Sequence, residues 1–193
     1  MGNLTEQQTS GLAGEMIESR DKILKHLGTI TVPAIAKKFI AKANFVVNKN
    51  DDAPVKIAYL GKDFRKWFLK TDFREWFLRK FLRKKEKSIL TTSLNYHELL
   101  KNSVNGSIIK ELGGQAKAPT TLAEIYALML KQGIERTGGL LVNGWVNVFY
   151  VPDVNGRLRA IHLRWRRDGW SIRAFSLENP AGWVAGYRLF SRN

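Results

Sequence analysis

Hydrophobic and polar positions alternate most clearly over residues 144–177. Two dipeptides there, Asn155-Gly156 and Asp168-Gly169, separate runs rich in β-branched and aromatic residues. Such dipeptides signal hairpins, because both central residues of a type I′ turn adopt positive φ. Pairing outward from Asp168-Gly169 sets Trp165 against Ile172, Leu163 against Ala174 and Ile161 against Ser176. Pairing outward from Asn155-Gly156 sets Tyr150 against Ile161, Val148 against Leu163 and Val146 against Trp165. Both hairpins then choose the same face of the middle strand as core, with Val146, Val148, Tyr150, Ile161, Leu163, Trp165 and Ile172 buried. The opposite face carries Trp145, Asn147, Phe149, His162, Arg164, Arg166, Arg173 and Phe175. On it Arg164 is expected directly across from Arg173, a like-charge pair that costs stability and that an anion would relieve.

Upstream, the spacing changes. Leu12, Met16, Ile23, Leu24 and Leu27 recur at helical intervals that end at Gly28, and Pro33 opens a second expected helix carrying Ile35, Phe39 and Ile40. Residues 48–54 (NKNDDAP) read as a loop and 55–60 (VKIAYL) as a short strand. Further helices are expected around 96–100 and 108–112, and GGQAKAP at 113–119 has the composition of a linker. Thr121 with Glu124 forms a capping box, which opens a helix presenting Leu122, Ile125, Tyr126 and Met129 as a cover for the meander. The ending NPAGWVAGYRLFSRN is distinctive; it turns at Asn179-Pro180 and offers an edge strand from Tyr187 to Phe190. The expected fold class is α+β: a helical N-terminal part, then a helix and a three- to four-stranded antiparallel meander. The division falls into 1–112 and 120–193, or one continuous domain.

The segment 63–87 stands apart. DFRKWFLK at 63–70 is nearly copied by DFREWFLR at 72–79, nine residues on. In one straight helix that offset points the copies to opposite sides, about two and a half turns apart. Such a helix would be apolar all round, which the ten Lys and Arg between Arg65 and Lys87 oppose. Two short helices with a break near Thr71, the second capped by Asp72 and Glu75, resolve the conflict. Trp67 and Trp76 are both expected to be substantially buried.

Composition adds a direction. The 193 residues carry 32 Lys and Arg against 17 Asp and Glu, a net charge of +15. That balance favours a polyanionic partner, nucleic acid or an anionic membrane surface, and it leaves too few acids to pair every arginine internally. The last lysine is Lys131; Arg136 and eight arginines from Arg157 to Arg192 supply the remaining cations. Arginine's planar fork suits bidentate phosphate contacts and stacking on rings. Cysteine is absent, which removes disulfides, thiol nucleophiles and cysteine zinc sites. The start MGNLTEQQTS has no basic-then-apolar leader and no myristoylation pattern, so a cytoplasmic location is expected.

The chemistry follows from the sheet face. Trp145, Phe149 and Phe175 beside His162, Arg164, Arg166 and Arg173 have the makings of a single-strand platform, in which aromatics stack on bases and arginines follow phosphates. The expected function is therefore binding of nucleic acid, DNA or RNA, single-stranded and weakly sequence-specific. The alternatives are a metal-independent ribonuclease using His162, Arg164 and Arg173, or a peripheral membrane binder through 63–87. Another protein is a further possible partner. His26, His97 and His162 are scattered without metal-ligand spacing, and no nucleotide or hydrolase motif occurs. No metal and no cofactor are expected.

Overall fold

The computed structural model of the protein describes residues 22–35, 38–69, 85–86, 90–133 and 138–192. Its centre is a seven-stranded mixed sheet, not a helical N-terminal part followed by a small antiparallel meander. The strands in chain order are β1 (Leu24–Val32), β3 (Ile57–Leu60), β5 (Thr92–Leu99), β6 (Val146–Pro152), β7 (Leu158–Arg166), β8 (Gly169–Ser176) and β9 (Arg188–Arg192). Across the sheet they run β1-β5-β9-β6-β7-β8-β3. Two neighbouring pairs are parallel, β3 with β8 and β6 with β9; the others are antiparallel. A separate two-stranded ribbon joins β2 (Phe39–Ile40) to β4 (Lys85–Glu86). Residues on both sides of 113–119 thus contribute strands to one sheet.

Several N-terminal expectations change accordingly. Leu24 and Leu27 lie in β1, and the β-branched run Thr29-Ile30-Thr31-Val32 completes that strand against β5. Gly28 is not a helix stop; the register shifts between His26 and Gly28, whose φ of 148° marks a bulge. Tyr96 is a strand residue as well, because β5 alternates faces with Leu94 and Tyr96 on one side and Leu99 on the other. Phe39 and Ile40 form β2, and only the single turn α1 (Ala41–Asn44) follows them as helix. The loop at 48–54 stands where it was expected, and the strand read at 55–60 forms over Ile57–Leu60.

Both faces of the sheet are covered in part. The first face packs on Phe39, Phe45, Phe64 of the single turn α2 (Lys62–Phe64), Phe68 and the apolar side of α5 (Leu122–Gln132). Here the capping box forms as read: Thr121 Oγ1 accepts from Glu124 N at 3.2 Å and Glu124 Oε2 accepts from Thr121 N at 2.7 Å. Leu122, Ile125 and Met129 are buried in this core and Tyr126 packs against it. Glu124 is itself buried and pairs with Arg192 at 2.9 Å, joining the helix start to the last strand. The second face is covered over β1, β5, β9 and β6 by α3 (Asn105–Glu111), by Ala118 just after the short turn α4 (Gly114–Lys117), and by Trp183. The expected linker is therefore structured, with Ala118 buried in this second core. The strand at the chain's end, expected at an edge, lies between β5 and β6 with Leu189, Phe190 and Ser191 buried.

The two hairpins depart from the expected register, each for an identifiable reason. In β7–β8, Arg166 pairs with Gly169, so the turn residues are Arg167 and Asp168. Gly169 is needed one position later: a Cβ there would lie 2.5 Å from the Lys56 carbonyl, which accepts from Trp170 N at 2.8 Å as β3 docks. Pairs move by two residues, giving Trp165 with Trp170, Leu163 with Ile172 and Ile161 with Ala174. A shift of two preserves the faces. Arg164 consequently faces Ser171 and Arg173 faces His162, so the expected direct Arg164–Arg173 pair is absent.

In β6–β7 the slip is a single residue. Phe149 pairs with Ile161 and Val148 with His162, because the turn takes in Asp153, whose backbone N–H donates to the Arg157 carbonyl at 2.7 Å. The Asp153 carboxylate accepts from the backbone N–H groups of Asn155 at 2.8 Å and Arg157 at 3.0 Å, and from Arg159 Nε at 2.9 Å. An aspartate that caps its own turn is a stronger local determinant than the Asn-Gly pair inside it. Every β6 side chain is inverted relative to expectation. Val146, Val148 and Tyr150 belong to the second core, Phe149 and Val151 to the first.

Candidate functional site

The second face of the sheet is open where the helices stop. Along β7 the residues on this face are Leu158, Ala160, His162, Arg164 and Arg166, and along β8 they are Ser171, Arg173 and Phe175. His162, Arg164, Arg166, Arg173 and Phe175 thus come together as the sequence proposed. Arg166 and Arg173 are exposed and Arg164 is half-buried. Two-residue steps along a strand place successive cations about 6.6 Å apart. Arg173 also lies over the ring of Tyr59, 5.5 Å from its centroid. Among the described residues, Arg164, Arg166 and Arg173 have no carboxylate within salt-bridge distance, whereas Arg159 and Arg192 are both paired.

Phe149 does not belong to this group. The inverted β6 sends its ring into the first core, stacked on Phe190 at 4.3 Å and 9°. Asn147, on the same side, is buried and donates to the Leu141 carbonyl at 3.0 Å while accepting from Leu141 N at 2.8 Å. Trp145 precedes β6 and stays near the open face, 44% exposed, its ring 5.9 Å from that of Tyr187.

Sequence reading missed the wall beside the arginines. The 179–187 segment folds back so that Trp183 meets His162 at 6.3 Å, Phe175 at 5.9 Å and Tyr187 at 6.2 Å. Asn105 at the start of α3 fixes it: its Oδ1 accepts from Trp183 Nε1 at 2.6 Å and from the Tyr150 hydroxyl at 3.1 Å, and its Nδ2 donates to the Leu177 carbonyl at 3.2 Å. The distinctive NPAGW run was the only signal for this wall, and nothing local tied it to Asn105.

Among the histidines, His162 is the one changed most. Burial first, then the charges of Arg173, Arg164 and Arg166, push its pKa down to about 4. Its Nδ1 is enclosed and has no hydrogen-bond partner among the described residues. Near neutral pH the ring is uncharged, so it has no proton to give as a cationic acid and is a weak base. The depressed value has a consequence for stability. The unfolded chain takes the proton first, so stability is full above about pH 6.5 and falls as pH drops toward about 4. The loss is on the order of 3 kcal/mol. His97, lowered mainly by burial and by His26, acts in the same direction. Urea midpoints of the wild type should fall more steeply across this window than those of His162→Gln; parallel curves would contradict the assignment.

The other candidates are weaker. Phe64 and Phe68 are fully buried core residues and Trp67 is half-buried under Arg159, 4.1 Å from the guanidinium carbon. The described part of 63–87 therefore turns these two phenylalanines inward, away from any membrane surface. Thr71 and Trp76 lie outside the described residues. No helix among the described residues is long and apolar enough to cross a membrane, and none of their His, Asp and Glu side chains gather in threes to hold a metal ion. The chain matches no family model, no curated protein and no solved structure.

Proposed function

We propose that the protein binds single-stranded nucleic acid, with weak sequence preference, through the second face of its sheet. The observation that carries this reading is the row Arg164, Arg166 and Arg173, without carboxylate partners among the described residues, beside the exposed Trp145 and half-buried Phe175. Phosphates supply the countercharge that the fold withholds, and the rings supply stacking that reads no particular base. The net charge of +15 adds long-range attraction for the same partner. His162 fits this surface better as a neutral hydrogen-bonding ring than as the acid or base of a ribonuclease.

The test is a titration of the whole protein against single-stranded DNA, single-stranded RNA and anionic vesicles at several salt concentrations. Oligonucleotide binding is expected, with log K falling against log salt at about 0.7 per phosphate contacted. Vesicle binding without oligonucleotide binding would favour the membrane reading instead. RNA cleavage that disappears in His162→Ala would favour the ribonuclease. Failure to bind any oligonucleotide at low salt would overturn the proposal.

A further inference from the structure

Next to the arginine row the wall formed by Trp183 encloses a cleft of about 140 Å³, lined by His162, Phe175, Trp183, Tyr187, Asn105 and Asn179 among others. From this cleft we infer that the protein takes one unstacked base of the bound strand out of line and seats it in the corner that the touching rings of Phe175 and Trp183 make. The inference rests on the nucleic-acid reading above and names what that surface does beyond holding phosphates.

Size comes first. An apolar cavity of about 150 Å³ takes a single benzene ring, so this cleft accepts one ring system and not a stacked run. Shape agrees. Phe175 stands at 81° to Trp183 and at 70° to His162, making a corner. A planar ring entering it lies face-on to one wall and edge-on to the other, the arrangements aromatic pairs prefer. The wall is also set in advance: Asn105 uses its amide on Trp183, Tyr150 and the Leu177 carbonyl, so little ordering remains to be done on binding. That same expenditure takes up the Asn105 oxygen with two donors and leaves it at most one amide N–H toward a base edge. One donor reads little, so seating is by shape and stacking, in keeping with weak sequence preference.

Charge identifies the occupant. Arg173 lies directly across from His162 in the β7–β8 ladder and two residues from Phe175 on the same face. A backbone phosphate of the seated nucleotide falls within reach of it, about 6.6 Å along the strand. Arg164 and Arg166 continue the row past the cleft, more cationic charge than a lone mononucleotide would call for. A strand with one base turned into the cleft and its backbone following the arginines uses the whole surface.

The experiment compares an abasic deoxyribose-phosphate strand with the same strand carrying one thymine, by fluorescence anisotropy on the full chain. The thymine strand should bind about tenfold tighter, from stacking of roughly 1–3 kcal/mol per base. Ala181→Trp fills the cleft from an exposed position that lines it. It should remove that preference while leaving the salt dependence of abasic binding unchanged. If circular dichroism shows this variant misfolded, the smaller Ala181→Leu takes its place. Equal binding of the two strands by the wild type, or a preference that survives in the folded variant, would overturn the base seat yet leave phosphate binding intact. Absence of binding to either strand would overturn both readings.

Discussion

Reversing Arg164 and Arg173 together to glutamate lowers affinity for single-stranded nucleic acid by at least about a hundredfold at moderate salt. Each charge-assisted hydrogen bond contributes about 1.5–3 kcal/mol, so two lost contacts already reach that figure before repulsion is added. The log–log salt slope becomes shallower by about 1.4, at about 0.7 per phosphate. Trp145→Ala should weaken binding without changing the slope, because stacking releases few counterions. Folding should be nearly unchanged, since Arg164 faces Ser171 and Arg173 faces His162 and no direct like-charge pair is relieved. His162 reports on the variant independently. Two of the cations that depress its pKa become anions, so its titration should move upward from about 4, followed by the ring proton resonance. A folded double variant with unchanged affinity and slope would remove the arginine row from the binding surface.

What could be read from the chain was whatever is decided within a few residues. The Thr121–Glu124 box spans three positions and formed as written. The strands around 161 and 172 were legible from alternation. Their arginine face survived an error in register because a two-residue shift keeps every side chain on its side. The rest was settled at a distance. Leu24 and Leu27 fit a helix and a strand equally well, and β5, which pairs Leu24 with Leu99, decides between them. Gly169 looks like a turn residue until Lys56 approaches it from β3. Trp183 completes the cleft only because Asn105, 78 positions earlier, holds its indole. Phe149 was lost from the site by one unit of register, and the cause was Asp153, a residue whose charge suggests solvent but whose carboxylate is buried.

Asp153→Ala should therefore be among the most destabilising single changes in the protein, by about 3–5 kcal/mol. Its carboxylate is fully enclosed and its partner Arg159 is only 12% exposed, so truncation leaves a guanidinium with no anion. It also frees two turn N–H groups and loosens the stack of Arg159 on Trp67. Asp153→Asn retains an acceptor for the turn but not the charge, and should cost less. Arg159→Leu combined with Asp153→Ala should cost less than the sum of the two, because the stranded cation is removed as well. Denaturant unfolding measures all four; a loss below about 1 kcal/mol for Asp153→Ala would deny the aspartate its role. Relief by slipping is closed to the hairpin. A two-residue Asn155-Gly156 turn would invert β6, pulling Phe149 from its stack on Phe190 and Asn147 from its bonds to Leu141. The register that Asp153 selects is thus the one the surrounding core requires, and removing the aspartate leaves that register in place with less to hold it.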